Sequence, residues 1–165
     1  MHIKKYYFLL TVLAILCAPA LVFASTVPAG TFPQSIWFSK DPFYVDDSIT
    51  IHTLVYNSSP FKLEGTFTLY NGTSTIGSKY FTLSGLGASS IISFPWVVTH
   101  GTHAFRAVID NAVLTNGDTR MSETISTTKT STVSRTADVD TDHDGMGNMV
   151  DPDDDNDGLS DVAEN

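Results

Sequence analysis

The sequence predicts an all-β fold for the middle of this 165-residue chain, followed by an acidic C-terminal segment. Three observations support this. Apolar and polar residues alternate with a period of two between Thr31 and Asp110. Turn residues interrupt the alternation roughly every ten residues, and no stretch there shows a helical period. This pattern is typical of an antiparallel β-sandwich, for which about 100 residues suffice.

Six strands are predicted in the sandwich, at residues 34–39, 48–56, 61–70, 76–83, 91–98 and 102–110. The apolar faces of three of them carry Ile49, Ile51 and Val55, then Phe61, Leu63, Phe67 and Leu69, then Ile92, Phe94, Trp96 and Val98. Asn71-Gly72 supplies the positive φ angles of a tight hairpin turn. Pro95 has no amide hydrogen, so its strand should be an edge strand or carry a bulge.

The end of the sandwich is rich in Ser and Thr. Residues 124–135 are β-branched and polar, which favours a last strand running into a linker over an extended linker alone. We therefore place the sandwich and this final strand or linker at residues 34–135, after a short linker at residues 25–33.

Residues 1–24 have the composition of a secretory signal peptide. Lys4 and Lys5 precede an apolar run, and small residues at Ala20 and Ala24 prepare a cleavage site after Ala24. Pro19 disfavours the alternative of an uncleaved membrane anchor, so we expect contact with a membrane only through the signal peptide. Cys17, the single cysteine, lies in this segment, which leaves the mature chain without a disulfide. We expect a secreted or cell-surface protein.

The net charge of −9 arises in the C-terminal segment. Residues 25–135 contain seven acidic and seven basic side chains, whereas residues 138–164 contain eleven acidic ones and no Lys or Arg. Such a segment repels phosphate backbones, so nucleic acid is not expected as a partner.

The sequence contains none of the common catalytic motifs. It has no Gly-x-Ser-x-Gly elbow, no His-Glu-x-x-His and no phosphate-binding glycine loop, so we do not expect an enzyme. His52, His100 and His103 are interpreted as surface or turn residues rather than a metal site. Asp46 and Asp47 are interpreted as turn formers. Aromatic residues that could stack on a sugar, but that are more often core residues, are Trp37, Phe38, Phe43, Tyr44, Tyr56, Tyr70 and Tyr80.

The acidic segment has the spacing of two calcium-binding loops. Such a loop carries oxygen ligands at positions 1, 3, 5, 9 and 12, a backbone carbonyl at position 7 and glycine at position 6. In the first loop these ligands are Asp140, Asp142, Asp144, Met146, Asn148 and Asp151, with Gly145 at position 6. In the second they are Asp153, Asp155, Asp157, Leu159, Asp161 and Glu164, with Gly158 at position 6. A disordered acidic tail, the alternative, gives no reason for this repeated spacing.

Only Pro152 separates the two loops, so no helix fits between them, in contrast to EF-hand pairs and dockerins. The back-to-back stretches DTDHDGMGNMVD and DDDNDGLSDVAE resemble thrombospondin type 3 repeats of bacterial surface proteins. The resemblance implies Ca²⁺-wrapped, irregular loops over residues 136–165. Asp138 and Asp154 are additional acids that could bridge the loops or be solvated. The chain ends at Asn165, one residue after the last predicted ligand, which favours a truncated repeat segment.

The sandwich also resembles a family, the bacterial immunoglobulin-like domains associated with cell adhesion. The residues that carry this resemblance are Asp41-Pro42, Asn71-Gly72, Pro95-Trp96 and Gly101-Thr102-His103. Together the two resemblances imply an immunoglobulin-like β-sandwich followed by irregular calcium-binding loops, in an adhesive or structural spacer protein of the cell surface. A surface protein or a glycan would be its larger partner. The alternatives are an accessory carbohydrate-binding module of a larger secreted enzyme and a cell-envelope protein with a downstream anchoring domain.

Overall fold

The computed structural model describes residues 25–32 and 35–164, without the side chain of Glu164. The predicted signal peptide lies outside these residues. Two β-sheets face each other. The strands are β1 (Thr26–Thr31), β2 (Trp37–Phe38), β3 (Ser48–Asn57), β4 (Lys62–Asn71), β5 (Ser74–Leu83), β6 (Ala88–Val97), β7 (Gly101–Asn116), β8 (Thr119–Arg120), β9 (Thr124–Thr127) and β10 (Val133–Ala137).

The first sheet is built around β3. It has the order β2-β3-β1-β9, and β6 pairs with β3 along ten residues on the other side. Among the described strands β6 is therefore an edge, in agreement with the missing amide hydrogen of Pro95. All pairs in this sheet are antiparallel except β1 with β9, which run parallel with Val27 opposite Ile125.

The second sheet is fully antiparallel, with the order β10-β7-β4-β5 and β8 added on β7. Strands β4 and β5 form the predicted hairpin. Gly72 has a positive φ of 58°, but Asn71, which was predicted to have one as well, does not. Asn71 instead uses its side chain, whose Oδ1 accepts a 3.0 Å hydrogen bond from the amide of Ala104.

The core lies between the inner faces of the two sheets. Its fully buried members include Ile51 and Val55 from the first sheet and Leu63, Phe67 and Phe105 from the second. The period-two alternation placed four of these residues inside, namely Ile51, Val55, Leu63 and Phe67, and their burial confirms the all-β, immunoglobulin-like sandwich. Trp96 packs edge-to-face on Phe105, with ring centroids 5.2 Å apart, and so joins the sheets near one end of the core.

Three segments differ from the expectation. Residues 26–31, predicted as part of a linker, form β1, whose Ala29 is completely buried. The Ser/Thr-rich segment forms two strands instead of one, because β9 joins the first sheet and β10 joins the second. The predicted first strand at residues 34–39 is reduced to the two residues of β2.

His103 was predicted as a surface or turn residue and is buried, with 5% exposure. It begins the inward-facing series of β7 that continues with Phe105. Its Nε2 lies 2.7 Å from the carbonyl oxygen of Thr99, and its Nδ1 lies 2.9 Å from the Asn71 amide nitrogen. The ring thus donates through Nε2 and accepts through Nδ1, so neither nitrogen remains for a metal ion.

The acidic segment follows β10 as a series of turns. A single helical turn, α1 (Asp161–Glu164), ends the described residues. Within those residues no helix has the length and apolar character needed to cross a membrane.

Candidate metal centre

The structure brings together the first three aspartates of each predicted loop. Asp140, Asp142 and Asp144 each offer a carboxylate oxygen within 4.8 Å of the others. Asp153, Asp155 and Asp157 form a second group on the same criterion. In both loops these are positions 1, 3 and 5. Three carboxylates at this separation repel each other unless a cation lies between them.

Backbone amides hold the three carboxylates of loop 1 (residues 140–151). Asp142 accepts a 3.0 Å bond from the amide of Asp144, and Asp144 accepts a 2.7 Å bond from the amide of Met146. Gly145 donates its amide to Oδ2 of Asp140 at 3.2 Å. Each carboxylate thus accepts, through one oxygen, a hydrogen bond from a backbone amide of its own loop, and the chain curls around the three carboxylates.

Loop 2 (residues 153–164) repeats these bonds 13 positions later. The amides of Asp157 and Leu159 donate to Asp155 and Asp157, at 3.3 and 2.8 Å. Gly158 donates to Oδ2 of Asp153 at 3.1 Å. The sequence repeat is therefore also a repeat of hydrogen bonds.

Both loops turn at the same two positions. The φ angles at position 4 are 63° for His143 and 57° for Asn156, and at position 6 they are 97° for Gly145 and 92° for Gly158. Such angles disfavour residues with a Cβ, which explains the need for glycine at position 6.

The aspartate at position 1 of each loop has an oxygen that is buried without any hydrogen-bond partner, Oδ1 of Asp140 and Oδ1 of Asp153, and Oδ1 of the adjacent Asp154 is a third such oxygen in the loops. Asp140 as a whole is only 9% exposed. A buried, unpaired carboxylate oxygen costs more free energy than a neutral one, and a bound cation removes that cost. This observation fits a metal ion at position 1 of each loop.

The other predicted ligands lie outside the two groups of three aspartates. At position 9, Asn148 Oδ1 accepts a 3.1 Å bond from the amide of Thr141, and Asp161 Oδ1 accepts a 3.0 Å bond from the amide of Asp154. In calcium loops position 9 often acts through a water molecule, which suits this placement. At position 12, Asp151 accepts the amide of Asp153 at 3.0 Å. The ligand role of all these residues, including the Met146 and Leu159 carbonyls and Glu164, stays a prediction.

Asp138 and Asp154, which were predicted to bridge the loops or to be solvated, have distinct places. Asp138 Oδ2 accepts the amide of Met149 at 2.8 Å and so ties the start of loop 1 to its end. Burial raises the pKa of Asp154, and the nearby carboxylates of Asp161 and Asp151 raise it further. The negative charge at the junction of the loops is thus poorly compensated.

Two contacts fix the loops to their surroundings. Asn156 of loop 2 donates a 2.6 Å hydrogen bond to Oδ2 of Asp142 in loop 1. The sandwich reaches loop 1 from the turn before β3, where the Tyr44 hydroxyl donates to the carbonyl of Gly145. Sequence reasoning missed Tyr44 as a neighbour of the loops, because 101 residues separate the two partners.

Some aromatic residues lie on the surface of the first sheet. Trp37 is 40% exposed and stacks on His52, and Phe32 is 46% exposed and stacks on Tyr56. Phe43, in contrast, is buried. The expectation that the aromatic residues belong to the core is therefore met for some of them only.

Comparison with known proteins supports the fold. The chain is similar to the crystal structure of the CARDB domain of a Pyrococcus furiosus protein in complex with di-metal ions. The TM-score is 0.50 at 12% sequence identity, and the match covers 71% of this chain and 98% of that domain. No family model and no curated protein matches the chain.

Proposed function

We propose that this protein binds Ca²⁺ through the two C-terminal loops and acts as an exported adhesive or spacer protein of the cell surface. The observation that carries the calcium proposal is the buried, unpartnered Oδ1 at position 1 of both loops. It lies beside two further carboxylates in each case. When bound, the ion would neutralise charges that repel each other in its absence.

Several features favour Ca²⁺ over Mg²⁺. Each loop offers only oxygen donors, on a backbone that bends around them. Calcium accepts six to eight such ligands in variable geometry, whereas magnesium demands a near-ideal octahedron and retains its water. Independently of which ion is bound, the CARDB domain of similar fold was crystallised in complex with di-metal ions, so a sandwich of this kind can carry metal. Extracellular modules of this type bind with dissociation constants of about 10⁻⁴–10⁻³ M.

The spacer role follows from the proposed ion. The loops have little regular secondary structure and expose apolar side chains, with Met149 79% and Val150 71% exposed. They therefore have little hydrophobic core of their own, and bound ions would supply their rigidity. Export is supported by the composition of residues 1–24.

Calorimetric titration of the full chain tests the calcium proposal. We expect uptake of calcium in the millimolar range, with magnesium competing poorly. The double variant Asp142→Ala, Asp155→Ala should lose this uptake, whereas Asp118→Ala, at an exposed turn of the sandwich, should retain it. Unchanged uptake in the double variant would refute the assignment.

A second candidate is binding of a carbohydrate on the first sheet. The exposed ring pairs Trp37–His52 and Phe32–Tyr56, with centroids 5.5 and 4.3 Å apart, are the observation that favours it. Glycan-array binding that disappears in Trp37→Ala, and persists in a calcium chelator, would support this function over the calcium-dependent one.

A further inference from the structure

The turn before β3 holds Tyr44 in a fixed position. The amide of Tyr44 donates a 2.7 Å bond to Oδ2 of Asp47, and the same carboxylate pairs with Lys40 at 2.6 Å. The turn is joined to the end of β6 by two backbone bonds, Asp46 amide to Val98 carbonyl at 3.0 Å and the reverse bond from Val98 to Asp47 at 2.9 Å. The turn that carries Tyr44 is therefore held by bonds within the sandwich, and none of these bonds involves a loop residue.

Tyr44 contacts Gly145, and the backbone amides at and after Gly145 bond to the carboxylates of loop 1. Gly145 gives its amide to Asp140, while its carbonyl accepts the Tyr44 hydroxyl. The next amide, that of Met146, orients Asp144. The peptide units on both sides of Gly145 thus position two of the three grouped carboxylates. A second contact, from the amide of Val45 to the carbonyl of Asp138 at 2.8 Å, holds the start of the segment.

We propose that Tyr44 is a positioning residue for loop 1, and that the sandwich preorganises this loop for its cation through the Tyr44 hydroxyl. The inference rests on the proposed calcium function and deepens it. A preorganised site pays less conformational entropy on binding. The coupling is reciprocal, so an ion in loop 1 stabilises the sandwich. Loop 2 bonds to loop 1 through Asn156 and would feel Tyr44 only indirectly.

The test separates the two loops in the full chain. Asp155→Ala with Asp157→Ala leaves only loop 1 able to bind, and Asp142→Ala with Asp144→Ala leaves only loop 2. Tyr44→Phe, which keeps the ring and removes the hydroxyl, is added to each background. Tyr80→Phe is the matched control, because Tyr80 is an exposed tyrosine of β5 in the second sheet. Calcium affinity is measured by calorimetry.

We expect Tyr44→Phe to weaken calcium binding about two- to tenfold in the loop-1 background, the value of one hydrogen bond. In the loop-2 background the affinity should change by less than about twofold on the same scale. Tyr80→Phe should have no effect in either. Calcium should also raise the thermal unfolding temperature of the sandwich in the loop-1 background, and by less once Tyr44→Phe is present.

A purely structural role of Tyr44 would lower the unfolding temperature in chelator and leave calcium affinity unchanged, which would overturn the inference. Equal losses of affinity in both backgrounds would overturn it too, since they would show no preference for loop 1. If loop 1 binds calcium and Tyr44→Phe has no effect, the inference fails while the calcium function stands. If neither background binds calcium, the proposed function itself fails.

Discussion

The amide of Gly145 donates a 3.2 Å hydrogen bond to Oδ2 of Asp140 and leaves the other oxygen of that carboxylate buried without a partner. The same relationship recurs between Gly158 and Asp153 at 3.1 Å. Thus the glycine turns the chain back over the first aspartate of each loop and fixes one oxygen, while the second oxygen accepts no hydrogen bond. Because one oxygen of this carboxylate is hydrogen-bonded and the other is buried without a partner, the loops are candidate cation sites and not only clusters of acidic residues.

Replacing Asp140 with Asn should weaken calcium binding at loop 1 on the order of tenfold or more, because affinity in these loops depends on the number of charged ligands. The amide oxygen of Asn can still accept the Gly145 bond, so the fold of the loop is retained. In chelator, the variant should be at least as stable as the wild type, since an unpaired buried charge is removed. Calorimetry and thermal unfolding measure both effects, with Asp118→Asn as control. Equal affinity in the two variants would contradict the role of Asp140.

Gly145→Ala should reduce calcium affinity without lowering the stability of the calcium-free sandwich. Alanine at a φ of 97° costs about 1–3 kcal/mol. That strain falls on loop 1, outside the core. Gly72→Ala is the matched control, because Gly72 has a φ of 58° and open space around it but lies in the β4–β5 hairpin. It should lower the unfolding temperature and leave calcium affinity alone. The reverse pattern would show that loop 1 does not determine binding.

Much of the fold could be predicted because alternation reports directly which face of a strand is buried. Ile51, Leu63 and Phe67 follow this rule, and all are completely buried. The prediction of strands was wrong where a buried segment contains few large apolar residues. Strand β1 has the sequence TVPAGT, with a proline, a glycine and small residues, and it becomes a strand only because β3 and β9 flank it.

The candidate site, like the fold, could be predicted from the sequence only in part. Spacing alone identified the grouped aspartates, since local chain geometry determines where positions 1, 3 and 5 point. It could not identify Tyr44, whose contact with Gly145 depends on how the whole sandwich folds. His103 was also misassigned, because its place next to a turn was given more weight than the alternation with Phe105, which puts it on the inward face of β7.

The Lys40–Asp47 pair should make stability depend on pH in the acid range. Burial raises the pKa of Asp47, but the bonds from Lys40 and the Tyr44 amide outweigh it and bring the pKa below its usual 3.8. A lowered folded-state pKa stabilises the protein above the unfolded value, and this contribution disappears as the pH falls through the folded value. Lys40 is 49% exposed, so we expect the free energies of unfolding of the wild type and Asp47→Asn to differ by about 1 kcal/mol or less at pH 7.

Urea unfolding in chelator at several pH values measures this difference. The gap between wild type and Asp47→Asn should be constant from neutral pH down to about pH 5 and should close below pH 4, where Asp47 becomes protonated. A gap that persists unchanged at pH 2 would indicate that the carboxylate charge is not responsible.

The role of β1 in the sandwich can be tested with one buried charge. Ala29 is completely buried between β3 and β9, opposite Asn57 in the register with β3. Ala29→Glu would place a carboxylate in the core without a partner, and we expect a loss of about 3 kcal/mol or more in the free energy of unfolding. Thr26→Glu, on the same strand but at an exposed position, should change it by less than about 0.5 kcal/mol. If both variants unfold at the same urea concentration as the wild type, residues 26–31 act as the linker that the sequence predicted, and the sandwich is complete without β1.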